Sequence, residues 1–367
     1  MNTEFYTLDE IRNQADLWED TFNRYLDLKE ELDQFLDDIY QKHGRVRVIF
    51  TGAGTSQYVG DTIYPELKNN NEKYDFYSIA TTDIVSNPNE YLINEPTILV
   101  SFARSGNSPE SVATVKKAYE NIDDLYEVVI TCAEEGKLAV NTRGNDKAFL
   151  FLLNEKTNDR GFAMTSSFTD MALAALLTFE DRLLEEKQEI CEIIVDAARN
   201  VIKREEEIEE ITKNYDYERV VYTGSGSLSG LSREAQLKIL ELTAGEIATV
   251  FDSSMGFRHG PKSFINNKTI FFNFVSKDEY TSQYDRDILN EVKNDEIATL
   301  TMAIGEKVGS IDSFEIEANV PDGYLSIVYI IFAQFFAAYT AIKVGNDVDH
   351  PSKSQTVNRV VKGVTIH

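Results

Sequence analysis

"VIFTGAGTSQYVG", residues 48–60, and "VVYTGSGSLSGLS", residues 220–232, decide the fold. Each is an apolar, β-branched run ending in Thr-Gly-x-Gly and passing into a helical pattern. The two glycine turns, at Gly52 and Gly224, lie about one domain apart in the chain. Such self-similarity at domain spacing implies two related units. Between and after the turns, short runs such as "TILVSF", "EVVITCA" and "AFLFLL" alternate with helical stretches. That alternation predicts parallel sheets with helices on both faces, an α/β doubly wound, three-layer architecture. The expected division is an N-terminal helical segment over 1–44, a first α/β domain over 45–200 and a second over 201–367.

With 367 residues, 42% of them hydrophobic, the chain is long enough for two globular domains. Its formal charge of −26 argues against a general nucleic-acid or anionic-membrane binder. The cysteines, Cys132 and Cys191, have no metal-ligand or disulfide spacing, so neither a metal nor a cofactor is signalled. The N-terminus has no basic region followed by an apolar core, and a cytoplasmic location is expected. The apolar stretch 324–342 approaches membrane-spanning length, but Ser326, Gln334 and Thr340 interrupt it; a helix buried in a core or subunit interface is expected. The acidic segment 181–218 reads as a solvated helical connector.

Four stretches carry chemistry. In "VSFARSGNSPES", residues 100–111, a strand runs into small hydroxyl residues, an arginine and a glycine, then Pro109 and Glu110 suited to a first helical turn. Free N–H groups at such a strand-to-helix turn favour an anion, and Arg104, Ser105 and Ser108 add charge and hydroxyls. An ordinary turn has the same composition, so the loop alone leaves both readings open. "GAGTSQ", residues 52–57, lacks the third glycine of a dinucleotide fingerprint, which disfavours NAD. Thr55 and Ser56 fit a second hydroxyl contact to an anion better. Glu234, Lys238 and Glu241 share one helical face, either as an exposed ion-pair stripe or as an active-site wall holding a carboxylate base beside a lysine. Leu237, Ile239, Leu240 and Leu242 are expected to bury that helix. His259, before Gly-Pro in "GFRHGP", sits in a turn where an imidazole can titrate near neutrality.

"SFARSGNSPES", "REAQLKILEL" followed by "GFRHGP", and the tail "NRVVKGVTI" together resemble the sugar isomerase (SIS) family of double-domain phosphosugar proteins. "GFRHGPKSFINN", "DEYTSQYDRD" and "NRVVKGVTIH" are most similar to its tagatose-6-phosphate ketose/aldose isomerase and galactosamine-6-phosphate deaminase group. The resemblance implies two SIS domains and a proton shift between adjacent carbons of an open-chain hexose 6-phosphate. It implies that Thr55, Ser56, Arg104, Ser105 and Ser108 bind phosphate and that Glu241 acts as base. It further implies His259 as the ring-opening acid/base, Lys238 or Lys362 as donor to the intermediate, and Glu234 beside the substrate. Departures from the synthase branch are Ala103 and Arg104, which stand where that branch has serine and glutamine. The synthase reaction with glutamine is not expected, since no amidotransferase domain precedes the pair. The implied activity converts D-galactosamine 6-phosphate to D-tagatose 6-phosphate and ammonia. The alternatives are a pure aldose–ketose isomerase or deglycase and a non-catalytic phosphosugar sensor. A homodimer or higher homo-oligomer is expected, with no nucleic-acid or membrane partner.

Overall fold

The computed structural model describes residues 5–69, 71–354, 357–359 and 363–367. Two compact units emerge. One comprises residues 16–159, 166–188 and 357–367; the other comprises 1–15, 160–165 and 189–356. We call them the loop unit and the triad unit, after the side chains described below.

The loop unit holds five strands: β1 (Val46–Thr51), β2 (Tyr74–Ser78), β3 (Thr97–Ala103), β4 (Leu125–Thr131) and β5 (Ala148–Leu152). They lie in the order β2-β1-β3-β4-β5, every pair parallel. β1, β3 and β4 are buried along their whole length. Helices cover both faces of such strands, which is why they read as continuous apolar runs. The helix Ser166–Phe179 is buried at every position.

The triad unit repeats the plan with β6 (Arg219–Gly224), β7 (Ala248–Ser253), β8 (Thr269–Phe274), β9 (Leu300–Gly305) and β10 (Asp312–Glu315). Their order, β10-β9-β8-β6-β7, is that of the first sheet, again all parallel. The expected doubly wound architecture is therefore present twice. The matched turns show why glycine recurs in them. A Cβ on Gly52 would lie 2.5 Å from the Ser56 backbone, and one on Gly224 would lie 2.7 Å from the Leu228 carbonyl. Each strand ends so close to the following helix that only glycine fits.

The apolar stretch forms the helix Asp322–Lys343, which is 89% buried over its most apolar window. Ser326 donates to the Gly323 carbonyl (2.6 Å), and Thr340 pairs with the Tyr217 hydroxyl (2.7 Å). Gln334 accepts from Gln14 (2.7 Å). Its interrupting polar residues are thus satisfied inside the fold, as buried polar groups must be.

The N-terminal helical segment forms two helices, Tyr6–Arg12 and Gln14–His43. Phe5, at the N-cap of the first, offers no side-chain oxygen to its free N–H groups. Asp349 caps it instead. Its carboxylate accepts from the Tyr6 N–H (2.8 Å), the Thr7 N–H (2.9 Å) and the Thr7 hydroxyl (2.7 Å).

Candidate active site

In the loop unit, β1 and β3 are hydrogen-bonded neighbours, with Thr51 opposite Ser101. The chain leaves them in opposite lateral directions, β2 lying beyond one and β4 beyond the other. Their carboxyl ends therefore form a switch point, where open α/β sheets bind ligands. The turns Gly52–Ser56 and Ala103–Ser108 emerge there side by side. Thr55 and Ser56, both buried, open the helix Thr55–Asn69.

Ser108 caps the helix Pro109–Asn121: its hydroxyl oxygen accepts from the Ser111 N–H (3.3 Å) and donates to the Ser111 hydroxyl (2.6 Å). Pro109 fills the first helical position and Glu110 the first turn, as expected. Gly106 has φ +66, a conformation that lets the loop turn back while Ser105 stays half-buried. Arg104 is buried, and its guanidinium donates to the Arg359 carbonyl (2.9 Å). Arg359 in turn donates through Nε to the Asp159 carbonyl (2.9 Å). No pattern in the sequence foretells this clamp, which joins Arg359 to the loop after β3.

In the triad unit, Glu234, Lys238 and Glu241 lie on the helix Ser227–Leu242. Lys238 Nζ is 3.1 Å from Glu234 Oε1 and 2.9 Å from Glu241 Oε2. Glu234 and Lys238 are fully buried, whereas the Glu241 side chain is 26% exposed. The stripe is therefore an internal ion triad with one carboxylate at the surface. Burial pushes the Lys238 ammonium down, but the two carboxylates outweigh it and hold its pKa above the ordinary lysine value. The lysine stays charged and orients Glu241. Leu240, expected to help bury this helix, is 43% exposed instead. The buried face is completed by Glu234 and Lys238 rather than by Leu240.

His259 lies in the turn between two short 3₁₀ segments, Gly256–Arg258 and Pro261–Phe264, with its side chain exposed. Its backbone N–H donates to the Gly256 carbonyl (2.8 Å). Among the described residues its ring makes no hydrogen bond or ion pair, so within the unit it is not joined to the triad. The turn itself is fixed. Arg258 Nε donates to Glu291 (2.7 Å), and Lys262 pairs with Glu291 and with Asp295 (2.7 Å). These cations hold the Glu291 carboxyl below its usual range. This brace was not read from sequence. Its only signal was the pair of basic residues flanking His259. Lys362 lies outside the described residues. Cys132 and Cys191 are both buried, and burial pushes the Cys132 thiol up. Among the described residues no cluster of three or more His, Cys, Asp or Glu side chains is placed to hold a metal ion.

Taken separately, the loop unit offers hydroxyls and an arginine at a strand-to-helix turn, and the triad unit offers a carboxylate oriented by a buried lysine. Residues 39–180 match the model of the SIS domain. D-galactosamine-6-phosphate deaminase AgaS of Escherichia coli is 40% identical, the alignment covering 100% of this chain and 96% of that protein. The protein of the same name from Shewanella sp. (strain ANA-3) is 38% identical over 99% of this chain and 92% of its own length. Among solved structures, tagatose-6-phosphate ketose/aldose isomerase from Escherichia coli superposes with a TM-score of 0.91 at 37% identity, covering 99% of this chain and 96% of that one. Glucosamine-6-phosphate deaminase from Thermotoga maritima, at 18% identity and a TM-score of 0.73, shares the fold over 97% of this chain and 99% of that one.

Proposed function

The chain belongs to the SIS-domain family, and from that membership we propose that it converts D-galactosamine 6-phosphate to D-tagatose 6-phosphate and ammonia. The observation that carries the reading is the ion triad in a chain related over its whole length to deaminases of that name. Glu241 is the one triad member that reaches the surface, held by a buried, charged lysine.

In this reading Ser56, Arg104, Ser105 and Ser108 anchor the phosphate, with Thr55 beside them, so that binding energy remote from the reacting carbons positions them. His259 opens the ring by moving a proton between the ring oxygen and O1. Glu241 takes the proton from C2 of the open-chain amino aldose, and the electron pair forms an enolamine. Returning the proton to C1 leaves an imine at C2. Water adds to that imine, ammonia departs, and the ketone remains. Of the two lysines expected to stabilise the enolamine oxygen, Lys238 is fully buried and acts by orienting Glu241, which leaves the donor role to Lys362. Glu234 keeps Lys238 charged and in place. No redox step occurs, so no external oxidant or reductant is required.

A second reading rests on the structural relative named a ketose/aldose isomerase. The same base and the same shift on a neutral sugar give isomerisation without ammonia. Incubation of the protein with galactosamine 6-phosphate separates the two. The proposal expects ammonia and ketose phosphate in equal amounts; ketose formation from a neutral hexose phosphate, with no ammonia from the amino sugar, would leave the second. The same reading makes the protein a cytoplasmic homo-oligomer, a state that size-exclusion chromatography with light scattering measures directly.

A further inference from the structure

The triad unit has its own switch point, between β6 and β8. Strand register aligns it with the first. Thr51 faces Ser101 across β1 and β3, and Thr223 faces Asn273 across β6 and β8. Counting onward, Ser276 stands where Arg104 stands, Lys277 where Ser105 stands, and Tyr280 where Ser108 stands. Leu228 matches Ser56, so Ser56, Arg104, Ser105 and Ser108 are all replaced, and only Thr55 keeps a hydroxyl counterpart, in Ser227.

The backbone donors, however, are still turned inward, and each has an acceptor. The Ser276 N–H donates to Asp285 (3.0 Å) and the Lys277 N–H to Asp322 (3.1 Å). Asp285 also accepts the Ser225 hydroxyl (2.6 Å), from the glycine turn after β6, and the Ser254 hydroxyl (2.5 Å), from the end of β7. Asn273 donates to the Ser254 oxygen (2.9 Å), which leaves the serine proton free to point at Asp285. Asp322 also accepts the Ser276 hydroxyl (2.5 Å). Asp285 projects from the helix Thr281–Asn294 at the position matching Ala113 in the loop unit, where no such side chain exists.

Two hydroxyls from separate strand ends and a backbone N–H thus converge on one fully buried carboxylate. This is the donor set of an anion-binding turn. We infer that the second switch point is an oxyanion site occupied from within, with Asp285 as its resident ligand, and that it accepts a free small carboxylate once that side chain is removed. The inference stands on the triad unit alone and does not depend on the proposed reaction.

Asp285→Ala removes a group the size of formate and leaves the three donors in place. The test is a thermal melt of the full-length variant in sodium formate and in sodium chloride at equal concentration. The variant melts below the wild type in chloride. Formate at ~100 mM raises its melting temperature by roughly 3 °C over chloride and does so saturably, as a ligand bound only to the folded state must. The wild type gains nothing over chloride, nor does Asp285→Asn, whose amide still fills the space. Equal melting of Asp285→Ala in both salts overturns the inference, as does an equal gain in the wild type or in the Asn variant. If Asp285→Ala is recovered only as insoluble protein, its refolding yield is compared in the two salts. A higher yield in formate supports the inference, and the same yield in both, zero included, overturns it.

Discussion

The helices that leave β1 and β6 start from the same kind of glycine turn, yet they hold opposite kinds of side chain. Matched through their strands, Glu234 falls on Thr62, and Lys238 on Glu66. Thr62 is buried and merely returns its hydroxyl to the Tyr58 carbonyl one turn back (2.7 Å). Glu66 makes a loose contact with Arg182, at 3.9 Å. In the triad unit the same positions hold a buried acid and a buried lysine. The loops after β3 and β8 reverse the contrast: Arg104 and two serines in one, a site filled by Asp285 in the other. Two copies of one scaffold can therefore differ in chemistry while every strand keeps its neighbours. The divergence lies at the strand ends and, in the triad unit, from the middle to the last turn of the helix Ser227–Leu242, while the strand pairing is untouched.

That contrast can be broken most sharply at Glu241. Glu241→Gln keeps size and hydrogen bonding but removes the base, and turnover should fall by more than about 100-fold with phosphosugar binding little changed; near wild-type turnover would take the role from Glu241. Lys238→Met leaves Glu234 buried without its cation. Breaking a buried ion pair in this way should cost about 3–5 kcal/mol, read by urea unfolding. The pH dependence has a definite sign. The folded pKa of Lys238 lies above its ordinary 10.5, so its stabilisation is fully present below that value. It is lost as pH rises through the folded value, and the stability gap between wild type and Lys238→Met should narrow only in strong alkali. Arg104→Ala should raise KM by roughly 10- to 100-fold, the worth of one charge-assisted hydrogen bond, and alter kcat far less. The smallest effect belongs to the mirror position. Thr62→Val should leave turnover unchanged and alter stability by no more than about 1 kcal/mol; a catalytic defect there would erase the distinction between the two helices.

The repeated plan was legible because a glycine turn between a β-branched run and a helix is a local pattern. Strand order was not, since it depends on which edges pair across long connections. The spacing of Glu234, Lys238 and Glu241 placed them on one face, but spacing alone left open both an exposed stripe, its commoner use, and a buried wall. Burial is a tertiary property, and it also overturned the expectation for Leu240. Ser108 could be read as an anion ligand, whereas its use as a helix cap needed the Ser111 geometry. Asp285 escaped notice because nothing in "TSQYDRD" marks an acid as buried. The signal was available only by laying the second repeat on the first and finding an aspartate where the other has an alanine. The clamp between Arg104 and Arg359 joins residues so far apart in sequence that no pattern links them.

The cap that Asp349 places on the helix Tyr6–Arg12 has a consequence for how the chain is made. Its partners are 343 residues apart for Tyr6 and 342 for Thr7. A helix of seven residues is too short to persist alone in water. At roughly 5–20 residues per second, synthesis takes about 20–70 s to reach its capping group. The helix Tyr6–Arg12 thus leaves the ribosome long before its cap is made, and the unit that contains it closes only after the intervening sheet has been translated.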